Sequence, residues 1–209
     1  MGLANYGELK TEIANVLEDD GSELASYIPT AITLAESRIA DKVRCRAMEE
    51  LRTDSLTQST EFVALDSDVI EITDVALDTN PKVNLEFVPT FQSTRLIRYD
   101  DEATPYYYSI QGETLQIRPI AEQDYTIEYT LYFRLPAFSA DLDTNWILTN
   151  HPAIYLYGSL AECYYFKRDE DVGDRYLSHY ERLVEELNRS EKKLKFPGPL
   201  KRRVMSSTP

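Results

Sequence analysis

The spacing of hydrophobic positions changes period twice along the chain. From Leu9 to Val43 they recur every three or four residues. From Met48 to Phe133 they alternate, and from Ile154 to Leu194 the helical spacing returns. In the first stretch, Leu9, Ile13, Val16 and Leu17 form the apolar stripe of one helix. Asn5 and Glu8 precede it at the spacing of a capping box, where an Asn side chain accepts from the backbone N–H three residues on. Glu18, Asp19, Asp20 and Gly21 close that helix. Residues 22–28 read as a connector, and Pro29 as the first turn of a second helix, a position where no N–H is needed. The buried face of the second helix is expected at Ile32, Ala35, Ile39 and Val43, with Ala31, Ala35 and Ala40 small enough for close helix approach.

The middle stretch reads as strands. Val83, Leu85 and Phe87 alternate with Asn84 and Glu86. Tyr106, Tyr108 and Ile110 lead into Gln111-Gly112-Glu113, and Leu115 and Ile117 return, which predicts a hairpin with glycine in the turn. Residues 91–99 are expected to form one short helix between strands. The longest alternating run is Tyr125, Ile127, Tyr129, Leu131 and Phe133, ended by Pro136. Beyond it, Asn150 is the predicted cap and Pro152 the first turn of a helix that is apolar on most sides, as a buried helix is. A last helix carries Val172, Tyr176, Tyr180, Leu183, Leu187 and Leu194 on its inner face. It ends at Phe196-Pro197-Gly198-Pro199, because proline lacks the donor and restricts the residue before it.

Helices, strands, helices is the order of an α+β protein. The predicted architecture is a helical bundle built from both ends of the chain (1–47 and 137–195), an inserted antiparallel β domain (48–136) and an extended basic tail (196–209).

Composition adds charge to this picture. The 209 residues carry a formal net charge of −14, and tyrosine is abundant at 15. Residues 189–209 contribute +6, so the remainder stands at −20. An acidic body repels nucleic acid, while an acidic body with a basic end favours contact between unlike protein surfaces. The two cysteines, Cys45 and Cys163, are assigned to predicted helices and read as reduced core thiols. No basic-then-apolar leader opens the sequence and no apolar run is long enough to span a bilayer, so a protein used where it is made is expected.

Chemistry is hard to find. His151 and His179 are the two histidines, and no two His or Cys residues share a metal-binding motif, so no metal or cofactor is expected. Gly158-Ser159 lies in a helical stripe rather than in a nucleophile elbow. The acidic pairs, Asp19-Asp20, Asp100-Asp101 and Glu185-Glu186, fall in turns and on helix faces, where carboxylates are ordinarily just solvated. No catalytic residue is assigned. Tyr107 and Tyr132, on the outward side of their strands, are candidates for a subunit or tail interface.

The tail has a functional argument behind it. Phe196, Leu200 and Val204 are interleaved with Lys201, Arg202 and Arg203, which gives the segment apolar anchors to bury on docking. Pro197 and Pro199 stiffen it and lower the entropy lost on binding. Direct contact with DNA phosphate is a rival that the acidic body disfavours.

Several segments, taken in order, resemble one family. They are Tyr6-Gly7-Glu8-Leu9-Lys10; Ile28-Pro29 with Leu34 to Ile39 and Arg46-Ala47-Met48-Glu49; Pro105-Tyr106-Tyr107-Tyr108 with Leu115 to Pro119; Asn145-Trp146-Ile147-Leu148 leading to Tyr155-Leu156-Tyr157-Gly158; and Gly198-Pro199-Leu200. The chain is similar in these to the podovirus-type head–tail adaptor (head completion or connector) proteins of tailed phages. The resemblance implies a structural virion protein, assembled in the bacterial host cytoplasm. It implies a ring, usually of twelve copies, that joins the portal protein to the tail nozzle protein and encloses the DNA path without reading its sequence. It further implies a C-terminal segment that reaches onto the portal, here Phe196, Pro197, Leu200, Lys201, Arg202, Arg203 and Val204. Another structural tail component, a nozzle or tail terminator subunit, is the alternative.

Overall fold

The computed structural model describes residues 3–18, 21–91 and 102–195. The fold is mixed α+β, and the chain divides into two compact units: residues up to Arg46 together with those from Pro136 onward, and Ala47–Leu135.

The first unit is helical. Helix α1 spans Tyr6–Leu17. The Asn5 half of its capping box forms, with Asn5 Oδ1 accepting from the Glu8 amide at 2.9 Å, while Glu8 Oε2 reaches one residue past the cap and accepts from the Ala4 amide at 2.8 Å. Helix α2 spans Ser22–Lys42, so the connector expected at 22–28 is helix and Pro29 lies inside it rather than in its first turn. An interior proline costs about 3 kcal/mol. Leu24 and Ile28, each 4% exposed, continue the buried stripe of Ile32, Ala35 and Ile39. Burying two such side chains contributes about 1.5–3 kcal/mol each, enough to carry the helix through the proline.

Helix α3 is a short turn, Trp146–Asn150, and α4 follows as Pro152–Phe166. Asn145 caps α3 through the Leu148 amide at 2.9 Å. Asn150 therefore ends a helix instead of capping one, its side chain donating back to the Trp146 carbonyl. His151 holds the cap position of α4 and Pro152 its first turn. Helix α4 packs against α1, α2, α3 and the last helix, α5 (Glu170–Lys195). At Gly158, a Cβ would stand 3.2 Å from the Ala35 Cβ and 3.3 Å from the Tyr180 ring, so α2 and α5 both close on α4 there. At Gly173, a Cβ would fall 2.8 Å from the Tyr165 ring, closer than packed atoms tolerate.

The buried line of α5 is Gly173, Tyr180, Val184, Leu187 and Glu191. Val172, Tyr176 and Leu183 lie beside that line, half-buried, and Leu194 is 54% exposed. The inner face expected from apolar spacing is thus displaced toward one flank. Small Gly173 and paired Glu191 occupy buried places that hydrophobicity does not mark. Glu191 is held by the Arg46 amide at 2.9 Å and the Arg46 guanidinium at 3.2 Å. Both cysteines are buried and free, with Cys45 placed after α2 rather than in a helix. Burial, with Glu162 adjacent, pushes the Cys163 thiol up to about 12.

The second unit is built of strands: β1 Glu49–Leu56, β2 Phe62–Ala64, β3 Val69–Leu77, β4 Val83–Asn84, β5 Glu86–Phe87, β6 Glu102–Ala103, β7 Tyr107–Gln111, β8 Thr114–Arg118, β9 Ile120–Ala121 and β10 Tyr125–Phe133. One sheet runs β1-β10-β3-β4, a second β2-β8-β7-β5, and β6 pairs with β9. The β5–β7 and β6–β9 pairs are parallel, so the unit is antiparallel in its long strands and parallel at two short contacts. Tyr125, Ile127, Tyr129 and Leu131 of β10 turn into the core with Leu56, Val75, Leu115 and Ile117. The hairpin forms with Gln111 opposite Thr114 and Gly112 at φ 61, in the left-handed region that favours glycine. The 83–87 run, which reads as one strand, serves both sheets. Val83–Asn84 pairs with β3, the Leu85 amide donates to the Val75 carbonyl, and Glu86–Phe87 pairs with β7. The helix expected over 91–99 falls almost wholly outside the described residues. Among those described, no helix is long and apolar enough to cross a membrane.

Candidate interaction surfaces

The predicted docking residues Phe196, Pro197, Leu200, Lys201, Arg202, Arg203 and Val204 lie outside the described residues. What precedes them is described. The last turn of α5 carries Lys192, Lys193 and Lys195. Cations there interact favourably with the carbonyl end of the helix dipole, at about 0.3–1 kcal/mol each.

Of the two interface candidates, Tyr107 is half-buried on β7, beside Arg118 of β8 and Glu86 of β5. Tyr132 is 8% exposed, which leaves little of its ring for a second subunit. Strand β10 alternates without a break against β1, and the extra residues at its register shifts with β3 lie on β3, so Tyr132 turns to the face opposite Leu131 and is buried outside the cluster that holds Tyr125, Ile127, Tyr129 and Leu131. The Tyr106-Tyr107-Tyr108 run divides into an exposed, a half-buried and a buried ring, the last packed edge-on against Phe87 at 5.4 Å.

Groups that could carry chemistry are placed apart. His151 sits at the start of α4 against the Trp146 ring. His179 is on α5 against the Tyr157 ring, its Nδ1 3.5 Å from an Arg182 nitrogen. Ser159 is enclosed in the interior of α4. Among the described residues, no group of three or more His, Cys, Asp or Glu is arranged to hold a metal ion.

Two features escaped the sequence reading. The first is a hub at Arg52. Its guanidinium meets both oxygens of Asp68 at 2.7 and 2.8 Å, Asp66 at 3.0 Å and Glu50 at 2.9 Å. Hydrogen bonding to Asp68 first, and to Glu50 next, holds the guanidinium above its ordinary value. The same bond holds the Asp68 carboxyl below the usual carboxylate range. Next to it, Asp54 accepts from the Tyr129 hydroxyl at 2.5 Å. In the β1–β10 register, Glu50, Arg52 and Asp54 stand opposite Leu131, Tyr129 and Ile127, so an edge strand points charges toward its core side. Inward charges of this kind discourage unwanted pairing at a sheet edge, and here they also tie the β2–β3 loop to β1. Nothing in sequence spacing marks Arg52, because its partners converge only when the strands pair.

The second feature is a row of half-exposed rings along one side of α4 and α5. Tyr164 stacks on Tyr176 with centroids 5.3 Å apart, and Tyr157 lies 5.9 Å from Tyr176 and 5.7 Å from His179. The row leads to a groove of about 390 Å³ lined by Pro152, Ala153, Ile154, Leu183, Glu186 and Leu187, among others.

Half-exposed rings, a groove of mixed polar and apolar lining and a basic chain end are the equipment of a protein that works by contact. The model of the SU10 adaptor protein family matches residues 4–203, and the chain belongs to that family. It is a family of phage structural adaptors and not an enzyme class, and it places the chain in the virion, in contact with other head and tail components. No curated protein matches the chain.

Proposed function

We propose that this protein forms a ring, of about twelve copies, that joins the portal to the tail nozzle and continues the path of the DNA. The observation that carries this reading is family membership over nearly the whole chain, joined to its charge polarity of −20 before Arg189 and +6 from there on. In this reading the helices from the two ends of the chain make the ring body, and the inserted β module serves as the tail-side platform, with Tyr107 at a contact. Phe196, Pro197, Leu200, Lys201, Arg202, Arg203 and Val204 dock on the portal. An acidic ring suits a DNA passage, because like charge lets the duplex slide where a basic wall would hold it.

The test is deletion of the residues after Lys195. The truncated chain keeps its far-ultraviolet circular dichroism and thermal midpoint and loses co-sedimentation with purified portal rings. Full portal affinity in the truncated chain would remove the tail from the mechanism.

A further inference from the structure

Helix α4 is apolar nearly all round, the pattern of a helix covered on every side. The helical unit covers only part of it. Helix α2 closes on one flank, through Gly158 against Ala35 and through Asn188 of α5, which accepts from the Arg44 amide and donates to the Lys42 carbonyl. The opposite flank is the row of Tyr157, Tyr164, Tyr176 and His179. On α5 that row stands roughly 150° around the helix from Asn188 and Glu181, the residues that face α2.

The outer face of α2 is unusual for so charged a chain. Ser26, Thr30, Thr33, Leu34 and Ser37 share an arc of roughly 100° and all are exposed. Hydroxyls on this face turn back to their own helix: Ser26 donates to the Glu23 carbonyl, Thr33 to Pro29 and Ser37 to Thr33. What they present outward is small, uncharged surface with one leucine. Cores of protein interfaces are depleted in charge and enriched in tyrosine, and small residues admit large rings. The borders are opposite in sign: exposed Arg175 and Arg182 flank the tyrosine row, and exposed Glu23 and Asp41 lie toward the ends of the α2 face.

We infer that the tyrosine row of α4 and α5 is the site on which a second copy of this chain lays the hydroxyl face of its α2. The two surfaces differ and lie on different flanks of one unit, so the contact is heterologous and repeats head to tail, as a ring requires. The inference rests on the ring reading and names the surfaces that reading leaves open.

Two variants of the full-length chain test it, each disabling one surface: His179→Glu on the row and Thr33→Arg on α2. By sedimentation velocity, the wild type forms oligomers as concentration rises and each variant alone stays monomeric. An equimolar mixture then gives a species of two chains and nothing larger, because one intact row still meets one intact α2 face. Unchanged thermal midpoints show that both variants are folded; Ser37→Arg replaces Thr33→Arg if that helix is perturbed. Variants that oligomerise like wild type overturn the inference. So does a mixture that stays monomeric, a wild type monomeric at every concentration, or loss of oligomers on deleting the residues after Lys195 alone. The ring reading fails separately, if wild-type protein does not bind portal rings; variants that load the portal with the wild-type number of copies sink only the interface.

Discussion

The two units solve the same packing problem with different materials. The β unit places its core between two sheets and fastens the rim with charge: Arg52 gathers Glu50, Asp66 and Asp68 at one edge, and Arg118 pairs with Glu61 at another. The helical unit brings helices from the two ends of the chain together around α4 by removing side chains, at Gly158 and Gly173, and the rings of Tyr180 and Tyr165 take the space. Its flank with the tyrosine row is left half-exposed. A sandwich can cover both inner faces with its own strands. A central helix needs neighbours all round, and a chain with few helices supplies only some of them.

Core truncations should produce the largest effects and expose the comparison most directly. Tyr180→Ala in the helical unit and Leu115→Ala in the β unit are each expected to cost about 3–5 and 2–5 kcal/mol respectively, measured by urea unfolding. Trp146 is the single tryptophan and belongs to the helical unit, so its fluorescence reports that unit. Tyr180→Ala should move the Trp146 transition strongly, and Leu115→Ala should move it less than it moves the circular dichroism of the strands. Equal movement in both would mean that the units unfold as one.

The rim comes next. Arg52→Met should destabilise the β unit by about 1–2 kcal/mol, since three partly exposed ion pairs, each at about 0.2–1 kcal/mol, are lost together. It should also flatten the acid limb of the stability curve. Asp68 has a lowered folded value, so its contribution is fully present above the unfolded carboxylate value of about 3.9 and is lost as pH falls through the lower folded one. Wild type should therefore lose more stability than Arg52→Met on acidification below about pH 4; identical slopes would mean that the hub is ornamental. The smallest effect belongs to the α1 cap. Asn5→Ala should cost about 1 kcal/mol, and no change would show that the Glu8 bond to the Ala4 amide suffices.

What could be read in advance follows from what each signal depends on. The α1 cap, the Gly112 turn and the β10 alternation are local: a few neighbouring side chains and one backbone conformation decide them, and all three are observed. The start of α2 is not legible in the sequence because proline at position 29 is a strong local signal, overridden by the burial of Leu24 and Ile28. The face of α5 was displaced because glycine and an ion-paired glutamate occupy buried places. The division of the 83–87 run between two sheets depends on partners, β3 and β7, that the run itself does not contain.

The sequence by itself determined the order of helices and strands, the polarity of charge and the family, because periodicity, composition and ordered segments are properties of the chain alone. Only the tertiary structure decided that Arg52 binds three carboxylates, that Tyr132 is buried, and that Tyr157, Tyr164, Tyr176 and His179 form one half-exposed row. Those facts come from side chains distant in sequence meeting at a few ångströms. Whether a ring is core or surface depends on how many of its sides the rest of the chain can cover.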